Sequence, residues 1–139
     1  MIPRAIRNNN PLNIRRTVRD AWKGLAKAQT DGAFCQFLTP EYGWRAAFRL
    51  LTRTYYRTHG LQTVRAIISR WAPPQDRNDT EAYIRNVARL TGIAPEEPLG
   101  NPSEQPARWL MLGAAMAAQE AGTTNIDYFA MLRGWEMEN

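Results

Sequence analysis

The chain has 139 residues, 44% apolar and 22% charged, the size and balance of one packed domain; a second core, intrinsic disorder and a low-complexity fibre are excluded. Lys plus Arg number 18 against 13 Asp plus Glu, a formal net charge of +5, so an anionic partner is expected, whether nucleic acid, anionic lipid or anionic wall polymer. Sixteen of those bases are Arg, spread singly from Arg4 to Arg133 along helix faces. No basic region or RNA-binding signature accompanies them, so nucleic acid is not the expected partner. No apolar run approaches the roughly 20 residues that cross a bilayer, and the N-terminal stretch breaks into Asn and Pro before an apolar signal core forms, so neither membrane insertion nor an export signal is expected. A single cysteine, Cys35, rules out an internal disulfide and a multi-Cys zinc site, and its apolar setting in Phe34-Cys35-Gln36-Phe37 predicts a buried thiol.

Residues 1–38 are polar, Asn-rich and punctuated by Gly and Pro; the sequence predicts loops with a small hairpin, extended at 13–16 and 33–38. Residues 39–139 read as a helical body of the same single domain. Thr39 is a cap, Pro40 fits the first helical position and Glu41 complements the helix dipole. The helix they open carries Trp44, Ala47, Phe48, Leu51 and Tyr55 at three- and four-residue steps and stops at His59-Gly60. A second helix spans Thr63 to Trp71 and ends at Pro73-Pro74. Asn78, with Glu81 three residues on, predicts a capping box that opens a third helix running to Thr91. Residues 94–106, with four prolines and three glutamates, read as an extended surface connection. A fourth helix, from about Gln105 to Ala121, is apolar nearly all round and should be the central buried one. Gly122 closes it, and Asn125 is the expected cap of a last helix through about Arg133. The fold class expected is mainly α, with a minor β or irregular N-terminal lobe.

Elimination narrows the chemistry. One histidine, His59, sits at a predicted helix end, and a multi-His metal site is impossible. Neither GxxxxGK nor GxGxxG occurs, so no nucleotide cofactor is expected, and no metal. Carboxylates remain, the tools of glycoside cleavage, which needs no cofactor. Glu120 ends the apolar helix in Ala117-Ala118-Gln119-Glu120-Ala121-Gly122, where a nonpolar wall and the negative helix end favour the protonated form a general acid needs. Glu41 sits at the opposite, positive end of a helix, where ionisation is favoured, and is the secondary catalytic candidate. Trp22 and Tyr42 offer flat rings for stacking on sugars, and Asn9, Asn10 and Asn13 offer amides for hydroxyl and acetamido groups; turn formation by the Asn run is the structural alternative.

The strings Arg7-Asn8-Asn9-Asn10-Pro11-Leu12-Asn13-Ile14-Arg15, Trp22-Lys23-Gly24, Pro40-Glu41-Tyr42-Gly43 and Trp71-Ala72-Pro73-Pro74 resemble a phage- and prophage-associated family whose members are usually labelled virion structural proteins. The resemblance covers most of the chain and implies a phage connection, as a virion or secretion-apparatus component, without a chemistry. A second likeness supplies one. The Asn-rich turn, Trp-x-Gly and the aromatic segment before a helix are similar to a stretch of bacterial glucosaminidases with a lysozyme-like fold, in which the catalytic Glu ends a helix in a string like Ala118-Gln119-Glu120-Ala121-Gly122. Here that string follows the segment instead of preceding it, which implies a circularly permuted lysozyme-like domain. The function implied is a muramidase or lytic transglycosylase acting on peptidoglycan glycan strands at the cell wall or from the virion; the alternative is a non-catalytic phage structural or wall-binding protein.

Overall fold

Pro40 opens the first long helix because Thr39 places its hydroxyl where it accepts from the Tyr42 amide at 3.4 Å, filling one of the unpaired donors of the first turn. The computed structural model describes residues 2–138. In chain order it contains α1 (Arg4–Arg7), α2 (Pro40–Arg49), α3 (Val64–Trp71), α4 (Thr80–Thr91), α5 (Pro106–Ala121) and α6 (Tyr128–Glu138), with a π-helical continuation of α2 over Leu50–Thr58 and a 3-10 turn at Pro74–Asp76. The protein is a mainly α domain.

The N-terminal lobe is irregular, as expected, apart from the single turn of α1. Its β content is two isolated antiparallel bridges, Arg15 to Phe34 and Leu25 to Phe37. Side-chain hydrogen bonds replace a sheet. The buried Asn10 amide donates to the carbonyls of Ile14 and Cys35 at 3.0 and 2.9 Å and accepts from the Ile14 N–H at 2.9 Å, while Asn8 donates to Asp31 at 3.0 Å. Asn9 and Asn13 both take φ 52°, the left-handed backbone that Asn tolerates better than most residues.

Several expected boundaries shift. The helix expected to run to His59 does so, but as an α-helix only to Arg49 and as a π-helix beyond. The expected cap at Asn78 is corrected to Asp79, whose carboxylate accepts from the Ala82 amide at 3.1 Å. Asn78 instead donates to the Pro73 carbonyl, and Glu81 turns outward to Arg65. The last helix is capped by Asp127, not Asn125, through the Ala130 amide at 3.0 Å, and it runs to Glu138. The connection at 94–106 is less exposed than expected. Leu99 is fully buried, and its N–H donates to the Gln62 carbonyl at 2.8 Å.

The core gathers Trp44, Phe48 and Leu51 from α2 and its continuation, Ile67 and Ile68 from α3, Tyr83, Ile84 and Val87 from α4, and Trp109, Leu112 and Met116 from α5. α5 is its axis, as the all-round apolar pattern predicts. α6 closes against α2 at Gly134. A Cβ there would collide with Trp44 and stand 2.9 Å from the Arg45 nitrogen, so only glycine permits this approach.

Candidate active site at the end of α5

Glu120 lies in the last turn of α5, which Gly122 terminates in the left-handed conformation at φ 71°. Its half-buried carboxylate receives three hydrogen bonds from three other segments of the chain. Oε1 accepts from Asn13 Nδ2 at 3.1 Å; Oε2 accepts from Trp71 Nε1 at 3.2 Å and from the Tyr83 hydroxyl at 2.9 Å. Trp71 ends α3, Tyr83 faces inward from α4, and Asn13 is turned toward α5 by its left-handed backbone. Burial, with the neighbouring Glu120 carboxylate, pushes the Tyr83 hydroxyl well above its ordinary range, so Tyr83 stays protonated and acts as a donor. The two oxygens are therefore unequal: Oε2 carries two donors, whereas Oε1 carries one and keeps an acceptor position free. Beside it, Asn13 Oδ1 is buried with no hydrogen-bond partner among the described residues.

The Trp71 ring also forms part of the wall of an open groove of about 490 Å³. Trp22, Tyr55, Leu50, Ile14 and Ala21 contribute the other apolar surfaces, and Arg15, Arg19 and Arg49 stand along it. Glu120 is thus one hydrogen bond from the groove wall. A second cavity, of about 150 Å³, lies between α1 and the end of α5 against Trp44, and is mainly apolar.

The other sequence candidates scatter. Glu41, in the first turn of α2, faces α6 and pairs with Arg133 at 3.5 Å; among the described residues it shares no hydrogen-bond or ion-pair partner with Glu120. Of the candidates Glu41, Tyr42, Asn9, Asn10 and Asn13, the hydrogen bonds join only Asn13 to Glu120. Tyr42 packs its ring on Gly24, whose φ of 80° and missing Cβ make room for it. Asn10 is fully buried with its amide committed inside the lobe, and Asn9 donates to the Phe37 carbonyl at 3.0 Å, so both amides are engaged by backbone carbonyls of the lobe. Trp22 does line the groove. Trp71, which also packs against the core, and Tyr83 are not among the sequence candidates; both are site neighbours, and no local signal marks them, since their partner is 49 and 37 positions away.

Cys35 is buried, as its setting predicts. Burial and the adjacent Asp20 carboxylate push its thiol up to about 12, which leaves it protonated and unreactive at neutral pH. His59 is exposed, with Nε2 3.4 Å from Arg70.

Fold and site together define a small mainly α domain that presents one helix-end carboxylate beside an aromatic, arginine-lined groove. Over 135 residues the chain is 40% identical to Protein P5 of Pseudoalteromonas phage PM2, a match that spans 96% of this chain and 80% of that protein. The chain belongs to the family of this phage protein. No protein-family model matches it.

Proposed function

We propose that the protein is a peptidoglycan-cleaving glycosidase of phage origin, with Glu120 as its acid and base. The observation that carries this reading is Glu120 itself: a carboxylate at the end of an apolar helix, oriented by Asn13, Trp71 and Tyr83 and one hydrogen bond from the wall of an open groove. Positioning by fixed neighbours is what general acid–base chemistry requires. Glu41 is engaged with Arg133, which favours chemistry that needs one carboxyl over a retaining or inverting pair roughly 5 to 9.5 Å apart. In the one-acid route, a proton on Oε1 passes to the glycosidic oxygen as the bond from that oxygen to C1 breaks. The sugar's own 6-hydroxyl then bonds to C1 and returns its proton to Glu120, leaving a 1,6-anhydro end and consuming no water.

The test is incubation of the purified protein with purified peptidoglycan and mass spectrometry of the soluble fragments. Anhydro-ended disaccharide fragments are expected from the wild type, with release at least about a thousandfold slower from Glu120→Gln, which keeps the shape of the side chain but has no proton to transfer. Full turnover by a folded Glu120→Gln variant, or no fragments from the wild type, overturns the assignment. A second reading, a non-catalytic virion component, draws on the same three hydrogen bonds, which also staple the N-terminal loop, α3 and α4 to α5. It predicts that loss of Glu120 changes stability alone.

A further inference from the structure

The groove beside Trp71 has a charge pattern that glycan stacking alone does not use. Its volume of about 490 Å³ is within the range of small-ligand sites, and the partly exposed Trp22 and Trp71 supply flat apolar surfaces on which sugar rings stack. Three arginines, Arg15, Arg19 and Arg49, line the same groove with one acidic residue, Asp20. Asp20 is occupied: its oxygens accept from the Thr17 amide at 2.8 Å and the Thr17 hydroxyl at 2.9 Å. Arg49 is occupied too, held at 3.0 Å by the buried Glu138. Arg15 and Arg19 make no salt bridge among the described residues. Arg15 lies over the Phe34 ring, its guanidinium carbon 5.1 Å from the centroid, a contact that holds the group without using its N–H donors. A sugar hydroxyl accepts one such N–H at a time, whereas a carboxylate takes two in their fork geometry and neutralises the charge.

We infer that the groove selects its glycan by charge: it takes an N-acetylated glycan bearing carboxylates, as lactyl groups or peptide stems, in preference to a neutral one, with Arg15 and Arg19 as the specificity determinants. This inference rests on the glycan-cleaving reading for the identity of the polymer but concerns binding rather than cleavage. The full-length Glu120→Gln protein is therefore titrated calorimetrically with three probes: the neutral N-acetylglucosamine hexamer, amidase-stripped glycan strands that keep only lactyl carboxylates, and strands with intact peptide stems. Both charged strands should bind at least about tenfold more tightly than the hexamer, and the advantage should shrink as salt is raised. Arg15→Gln combined with Arg19→Gln should bring the charged strands down to the level at which the same variant binds the hexamer. Arg15→Lys, which keeps the charge and loses the fork, should fall between. Circular dichroism establishes that each variant is folded. Equal affinity for the hexamer and the charged strands, or a preference that survives in the double variant, overturns the inference. The two readings separate cleanly. Fragment release without charge preference removes this inference alone; charge preference without fragment release removes the cleavage reading and leaves a selective glycan-binding groove.

Discussion

At the scale of single residues, the chain uses polar groups more for internal joinery than its composition suggests. Asn10 spends its amide on backbone groups of the lobe, and Glu120 on three donors. The Glu120→Gln variant is tolerable for the same reason: its carbonyl can face Trp71 and Tyr83 while its amino group faces an Asn13 amide turned over to present Oδ1, at a cost of about 1 kcal/mol. Cys35 gives a sharper test. Its thiol is held near 12 in the folded state against 9.0 ordinarily, so between those values the unfolded chain loses a proton that the folded chain keeps, and stability falls as pH rises. Between pH 9 and 10 the wild type should lose about 1 kcal/mol more than Cys35→Ala, read from urea midpoints of both proteins. In the native state at pH 8 the thiol should be inert to a disulfide reagent and react once urea unfolds the chain.

At the scale of elements, the crossing of α2 and α6 is the most constrained contact. Gly43 of α2 leaves no room for a Cβ against the Asn9 carbonyl, and Gly134 of α6 leaves none against Trp44. These two glycines let the N-terminal loop and the last helix press on opposite sides of α2. Gly134→Ala should force α6 away from Trp44 and cost about 2 to 4 kcal/mol, measured by urea unfolding. Gly60→Ala, at φ 67° with open space around it, should cost only about 1 kcal/mol. A result in which the two variants are equally stable contradicts the packing described. The π-helical run is the other notable element. It sets the direction of the residues after Arg49: Leu50 lines the groove, Leu51 lies in the core, and Tyr55 joins the core at the groove wall.

At the scale of the whole molecule, the two ends of the helical body are tied by charge as well as by packing. Glu138, buried at the end of α6, pairs with Arg49 at 3.0 Å and with Arg53, both at the junction of α2 and its π-helical continuation. Removing the carboxylate strands two half-exposed guanidinium groups and frees the last turn of α6. Glu138→Ala should therefore lower stability by about 2 kcal/mol and loosen the C-terminal turn, seen as faster amide exchange at Glu136 and Met137 than in the wild type. Exchange unchanged at those positions means that packing alone holds α6. Arg49 also lines the groove, so the same variant frees a third guanidinium there.

By itself the sequence determined what depends on neighbours within a few positions. The 3.6-residue period places the helices, Thr39 and Thr63 cap them, Gly60, Gly92 and Gly122 stop them in left-handed backbone, and the apolar string around Trp109 and Met116 becomes the core axis. Even at this range, competition between adjacent side chains was beyond it: Asn78 and Asp79 are both good caps, and the turn at Pro74–Asp76 decides which one reaches the helix. Tertiary structure alone decided the rest. Glu120 meets Asn13 across 107 positions, and the groove joins the N-terminal lobe to α3 and the π-helical run. Such meetings have no local energy term. They arise because burying the apolar faces of α2 through α6 around one core fixes where every loop and helix end must lie, and the polar partners are those that the packing leaves within reach.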